Sequence, residues 1–342
     1  MKQNRYVFPT LALLLLAVLI CAIAFGAVPI SVSSMVKALQ HYFQGREPSN
    51  IYEGVFLQLR LPRVLLCAIT GAILASSGVL MQGLFRNPII EPGLVGTSAG
   101  AALGAALVFV MAARIDPALK SFLGPLLLPI AAFAGALLAT YIVYLLAGDA
   151  KRASVMSLLL IGISINAVMS YIARDPQARS ITFWNLGTFS GASWMQVWIV
   201  GSVAAVIFIL SLRSSKQLNA LLLGEEEAGF LGVDTNRLKR RILFLNTAMV
   251  AVATAFVGVI SFMGLIVPHV LRLLLGSDHK KLLPASMLLG AALLTLADMC
   301  ARLLIAPAEL PIGIITSLVG APVFIFLLRR FNVTQEKGGY HA

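Results

Sequence analysis

Stretches of about twenty consecutive apolar residues recur along almost the whole chain, and no other feature constrains its folding as much. A helix that crosses a bilayer needs about 20 mostly apolar residues, with a range of roughly 17–25. Runs of that kind fall at about 7–28, 64–84, 93–113, 121–147, 154–173, 194–212, 242–262, 282–304 and 311–328. A shorter apolar piece, Gly264 to Leu275, contains Pro268. Backbone broken at membrane depth is tolerated only when it is buried in protein or lines a cavity. Counting that piece, the expected fold is an all-α polytopic membrane protein of about ten transmembrane helices, one domain over 1-342.

Composition agrees. Of 342 residues, 59% are hydrophobic and 12% charged, where a soluble domain carries about 25% charged residues. The net charge of +12 belongs to the flanks of spans. No basic patch is interleaved with aromatic residues, so nucleic acid is not an expected partner. Lys2 and Arg5 precede an apolar stretch longer than a signal-peptide core of about 7–15 residues, so this stretch reads as the first span. Cys21, Cys67 and Cys300 each lie inside an apolar run, far apart, which suits neither a disulfide framework nor a metal site.

Charge also orients the chain. With the N-terminus inside, the inner segments hold sixteen of the 26 basic residues. That bias puts both termini in the cytoplasm. Three arginines run against it. Arg60 and Arg63, in LRLPR, lie at the outer end of the second span, and Arg302 near the outer end of the ninth. Arg302 stands four residues after Asp298, so an ion pair on one helix face is available to it. Arg60 and Arg63 have no such neighbour in sequence, and two readings stay open for the cluster: snorkelling or pairing within the protein, or an acidic partner from outside.

The longest inner connector is 213-241, RSSKQLNALLLGEEEAGFLGVDTNRLKRR. Leu218 to Leu223 and Glu225 to Leu231 each read as one or two helical turns, with Gly224 and Gly232 as stops. Three glutamates open the second turn, where the helix dipole favours them. A solvated connector is the plain alternative. Leu221, Leu222, Leu223, Phe230 and Leu231 are many apolar groups for that, and they suit docking against a cytoplasmic protein. A faint inverted symmetry relates spans 2–5 to spans 7–10, a pattern found in many transporters.

GTSAG at 96–100 has the form of a nucleophile elbow, which needs a strand, a sharp turn, a helix, and a His and an acid for the triad. Ser98 opens an apolar helix instead. Gly96, Gly100 and Gly104 fall four apart, the small-xxx-small spacing that lets membrane helices approach closely. No zinc motif, P-loop or GxGxxG is present, so no metal site, cofactor or catalytic residue is expected. An ion-coupled secondary transporter would want an acid inside a span. Asp298 is the clear one, and pairing with Arg302 accounts for it.

Taken together, RLPRVL (60–65), GVLMQGLFRNPIIEPGLVGTSAGAALG (78–104), LLLIGISINA (158–167), LLLGEEEAGFLGVD (221–234), FVGVISFMGLIVPHVLR (256–272) and APAELPIGIITSLVGAPVFIFLL (306–328) resemble the FecCD-like permease subunits of bacterial ABC importers for iron chelates, heme and cobalamin. The resemblance implies an ABC type II importer permease fold, working as a homodimer. It implies two ABC ATPase subunits below, a periplasmic substrate-binding protein above, and membrane lipid around. It implies that the connector couples to the ATPase through Leu222, Gly224, Glu225, Glu226, Ala228, Leu231 and Gly232. It implies that Arg60, Arg63 and Arg302 receive the binding protein. Spans five and ten would line the path, with Ser164, Asn166, Met169 and Ser170, and Ile314, Ser317 and Leu318, as candidates. The stretch RDPQARSITFWNLGTFSGASW (174–194) looks most like hemin permeases. Ferric-siderophore and cobalamin permeases are close relatives. His269 lies in a block shared across the family, so it is read as structural.

Overall fold

The computed structural model describes residues 6–26, 30–46, 50–111, 116–146, 175–306 and 308–338. Every regular element among them is helical, as expected where no water can satisfy backbone polar groups. The helices are α1 (Val7–Ala24), α2 (Val32–Phe43), α3 (Ile51–Leu84), α4 (Thr97–Met111), α5 (Pro117–Leu123), α6 (Leu127–Leu146) and α7 (Asp175–Asn185). They continue with α8 (Trp194–Arg213), α9 (Ser215–Leu221), α10 (Glu225–Phe230), α11 (Thr235–Val257), α12 (Met263–Leu275), α13 (His279–Leu303) and α14 (Ile312–Gly338). Six helical stretches are long and apolar enough to cross a membrane, and α4, α12 and the Ile312–Phe326 part of α14 are shorter apolar helices. These nine match nine of the ten expected spans. The tenth, 154–173, lies outside the described residues, and so do Ser164, Asn166, Met169 and Ser170.

Helix α3 is the axis of the bundle. Of its most apolar 18-residue window, 89% is buried inside the protein, against 17% for α1, so α1 is a peripheral helix. Against α3 pack α13, α11, α12 and α8. Leu66, Ile73 and Leu80 of α3 are fully buried with Ile242 and Met249 of α11 and Leu282 of α13. Lipid tails are as apolar as leucine, so helices associate through close packing rather than a hydrophobic drive. Glycine supplies that closeness. A Cβ at Gly71 would collide with the Gly290 carbonyl, and one at Gly290 with the Gly71 carbonyl and Ala75. Gly100 and Gly104 of α4 meet Gly135 and Ala131 of α6 in the same way. The expected glycine stripe therefore holds, with Gly96 likewise set against Val143 and Ala139 of α6. Gly96 also ends a short 3-10 turn, Pro92–Val95, at φ +86° before α4 begins. Ser98 lies in the first turn of α4 against Gly93.

Three boundaries depart from the hydropathy reading. First, α3 starts at Ile51 and runs for 34 residues, so Arg60 and Arg63 lie well inside a helix. Its Val55–Arg60 segment is π-helical. Second, the span expected at 242–262 is the helix Thr235–Val257. It stops where Gly258 takes φ +78° against the Trp184 carbonyl. Phe262, at φ +68°, then starts α12, its backbone N–H donating to Glu91 Oε1 at 2.7 Å. Third, 175–194 is tied into the bundle. The N–H groups of Ile312 and Gly313 donate to the carbonyls of Gly187 and Leu186 at 3.1 and 2.8 Å, and that of Thr188 to Val257 at 2.8 Å. Trp184 and Phe189 are buried, whereas Phe183 is 60% exposed.

Because the α3–α13 crossing has no room for a side chain, Gly290→Val is expected to cost at least about 1–3 kcal/mol and to lower both folded yield and melting temperature in detergent. Gly54→Ala, where an added Cβ meets nothing within 4 Å, is expected to leave both unchanged.

Candidate functional site at the two charged ends of the bundle

At one end the three arginines come together. Asp298 is 1% exposed, and Arg60 and Arg302 are 6% and 7% exposed. Arg302 Nε donates to Asp298 Oδ2 at 3.0 Å, the pair expected from their spacing. Arg63 donates to the same carboxylate, Nη2 to Oδ1 at 2.9 Å, and its Nη1 reaches Glu309 at 2.9 Å. Arg302 also donates to the Ala22 carbonyl at 3.2 Å, and Arg60 to those of Ile23 and Ala24 at 2.9 and 3.2 Å. The C-terminal carbonyls of α1, which no longer have helical partners, thus find guanidinium donors.

Arg60 and Arg63 both have internal partners, the pairing that the sequence left open beside an acidic partner from outside. Their partners lie 36 to 246 residues away in sequence, beyond the reach of any local spacing rule. Arg63 is the arginine nearest the surface, with a side chain 12% exposed beside Glu309 at 40%. Glu309 carried no sequence signal, because its role depends on a turn that returns the chain to α3.

The polar layer below was also missed. Ser77 of α3 donates to Asn246 of α11, Asn246 Nδ2 to the Pro92 carbonyl at 3.3 Å, and Gln82 Nε2 to the Gly264 carbonyl at 3.0 Å. Arg272 donates to Gln82 Oε1. These bonds, with Glu91 on Phe262, hold the irregular segment between α3 and α4 inside protein, which makes its broken backbone tolerable. Polar residues inside apolar runs were the available signal.

The opposite end carries the 213–241 connector. Leu218 and Leu221 of α9 and Ala228 of α10 are fully buried. Gly224, at φ +142°, makes the corner between the two short helices, and Gly232, at φ +80°, ends the second. Glu225 accepts from Lys239 Nζ at 2.6 Å, while Glu226 is exposed. The apolar groups on the far side have no cover: Leu222 is 40%, Leu223 67%, Leu231 63% and Phe230 91% exposed. One face anchors and the other presents apolar surface, where a solvated connector would bury neither. Phe230, the most exposed of them, was noted for its apolarity in the sequence but is absent from the family-derived coupling set.

The anchor reaches α13. Asn219 Nδ2 donates to Asp278 Oδ1 at 2.7 Å, and Asn219 Oδ1 accepts from the His279 backbone N–H at 2.8 Å. The same oxygen lies 2.8 Å from His279 Nδ1, which therefore carries the ring proton. The His279 ring fills the space beside Gly83, where a Cβ would strike Nε2. The Asn219 hydrogen bond, followed by the Lys280 N–H and the charges of Lys281 and Lys280, holds the Asp278 carboxyl below its ordinary range.

On α14, Ile314 and Leu318 are 40% and 72% exposed and Ser317 is half-buried. Their spacing of three and four residues puts them on one helix face.

A family model, the FecCD transport family, matches residues 13–330. The hemin transport system permease protein HmuU of Yersinia pestis is 40% identical over 342 residues, covering 96% of this chain and 98% of its own. The cobalamin import system permease protein BtuC of Halobacterium salinarum is 38% identical over 310 residues, covering 89% and 80%. A solved structure described as an ABC transporter of metal-chelate type, in an inward-facing conformation, superposes with TM-score 0.77 at 31% identity, covering 96% and 99%.

Asp298→Asn leaves two buried guanidinium groups without their shared countercharge. It is expected to destabilise the protein by about 3–5 kcal/mol, read as a lower melting temperature. Glu309→Gln, at the exposed edge, is expected to cost less than about 1 kcal/mol. Asp278 supplies a pH dependence. Its folded pKa is depressed, so its contribution is full above the ordinary carboxylate range and is lost as pH falls through the folded value. The protection factors of the 279–282 amides, exchange relative to the intrinsic rate at each pH, are expected to be unchanged from neutral pH down to about pH 5 and to fall below about pH 4. Asn219→Ala should weaken that acid response.

Proposed function

The chain belongs to the FecCD transport family, and on that premise we propose that it is the membrane-spanning permease subunit of an ATP-driven importer that carries hemin or another iron chelate inward. Relatives named for hemin and for cobalamin import support the class, and the identity to the hemin permease, with the TFWNLG stretch, supports hemin. A ferric siderophore or cobalamin is the second reading of the cargo. Two copies form the pore. The face of α14 with Ile314, Ser317 and Leu318 lines the path together with 154–173. Two ABC ATPase subunits bind on the cytoplasmic side, where both termini lie, and the membrane is the bacterial inner membrane. Hydrolysis belongs to the ATPase, and this chain is a non-catalytic pore with two packings.

The observation that carries this reading is the connector. Leu218, Leu221 and Ala228 fix it to the bundle, while Leu223, Phe230 and Leu231 stand bare. An apolar patch on a well-anchored element suits a partner that pushes and pulls on it. Through Asn219, a displacement of α9 is delivered to the start of α13 and so to the α3–α13 crossing. At the other end, the binding protein docks where Arg63 reaches the surface. A partner carboxylate takes the place of Glu309, and Arg60 and Arg302 support the site from beneath. The binding protein brings the cargo, and ATP binding drives the exchange between outward and inward packing.

Uptake into lipid vesicles, with the ATPase subunits inside and hemin-loaded binding protein outside, tests the proposal. Wild type is expected to take up hemin only with ATP. Phe230→Asp is expected to cut uptake and ATPase co-purification at least tenfold while leaving the melting temperature unchanged, because Phe230 is 91% exposed. Uptake of a ferric siderophore or cobalamin instead would remove the hemin assignment. Uptake driven by a proton gradient without ATPase would overturn the whole reading.

A further inference from the structure

A groove of about 380 Å³ opens on the flank of the bundle between α6 and α11. That size lies within the range of small-molecule pockets, roughly 300–1,000 Å³. Its walls include Leu137, Tyr141 and Tyr144 of α6 and Arg240, Phe244 and Thr247 of α11. Ala132 and Ala136 share a buried cluster with Ala251 and Ala255, so the two helices run antiparallel. Leu137 and Thr247 therefore mark the deep end of the groove, and Tyr144 and Arg240 its mouth. The flank faces outward: Tyr141 is 58% and Phe244 67% exposed.

The chemistry of the groove changes along its length. The deep part is hydrocarbon and aromatic ring, which gives an inorganic anion nothing to bind. The mouth is cationic. Arg240 makes no ion pair among the described residues, while its neighbour Lys239 is held by Glu225. Arg237 and Arg241 lie in the same first turns of α11. Two tyrosines beside the mouth match the amphipathic belt at a membrane–water boundary. A second copy of the chain docked groove to groove would set arginine against arginine, which disfavours that occupant. A basic pocket between membrane helices at such a boundary suits a lipid headgroup.

We propose that this groove binds one anionic phospholipid, with an acyl chain between Tyr141 and Phe244 and the phosphate on Arg240. The site is independent of which cargo the protein carries. It differs from the general solvation of the bundle by lipid in requiring a negative headgroup.

Native mass spectrometry of the full-length protein tests it. The protein is released from micelles holding phosphatidylglycerol and phosphatidylcholine of the same acyl chains at equal mole fraction. Wild type is expected to retain phosphatidylglycerol about fivefold over phosphatidylcholine, the scale of one arginine at a membrane surface. Arg240→Gln should abolish the preference and Arg240→Lys should keep it. Arg213→Gln, an exposed arginine at the same end of the bundle, should not change it. Leu137→Trp, which fills the deep end, should displace both lipids. If that variant fails to fold, the Arg240 pair still decides. Equal retention of the two lipids would overturn the site, and so would an Arg240→Gln variant that behaves as wild type. Loss of the preference in Arg213→Gln would mean a diffuse basic rim and would equally overturn it. A cysteine placed at Tyr141 that cross-links copy to copy in native membranes would make the groove a protein interface.

Discussion

Helices α3 and α13 touch backbone to backbone at Gly71 and Gly290, and both charged ends of the molecule are fastened to this one seam. Above the crossing, Arg63 of α3 and Asp298 of α13 form an ion pair at 2.9 Å. Below it, the His279 ring of α13 seats against Gly83 of α3. The seam therefore joins an ionic contact, a close-packed contact and a shape-matched contact along a single pair of helices. In lipid, packing rather than hydrophobic drive decides association, so a seam without side chains at its centre can be both tight and specific.

Two features follow from that seam. The first is that the arginines at one end act as structural cations. They satisfy Asp298 and the last carbonyls of α1, and the one that reaches the surface is Arg63, held by Glu309. A buried carboxylate that serves two guanidinium groups is costly to desolvate, and removing it leaves uncompensated buried charge, which costs more. The second is that the connector is continuous with the seam. Asn219 ties α9 to the first residues of α13, and the exposed Leu223, Phe230 and Leu231 lie just beyond that anchor.

The membrane class, the near-complete set of spans, the bent connector and the Asp298–Arg302 pair were all legible in the residues. Each rests on something local: a run of apolar residues, a glycine after a helical turn, a spacing of four. The glycine stripe at Gly96, Gly100 and Gly104 was legible for the same reason. The left-handed turn at Gly96 was not, because it depends on the chain arriving from Pro92. Nothing local shows that Leu186 and Gly187 accept hydrogen bonds from α14. The hidden partners of Arg63 are likewise a matter of chain return.

By itself, then, the sequence determined that the chain lies in a membrane, roughly where it crosses, and which connector is amphipathic. These follow from the cost of exposing apolar or unsatisfied backbone groups, a cost each segment bears alone. Only the tertiary structure decided which polar groups meet inside: Asp298 between Arg63 and Arg302, Glu91 on the Phe262 amide, Ser77 on Asn246, Asn219 on Asp278. A polar group in a low-dielectric interior needs a partner within about 3 Å. What supplies it is the arrangement of helices that are remote in sequence.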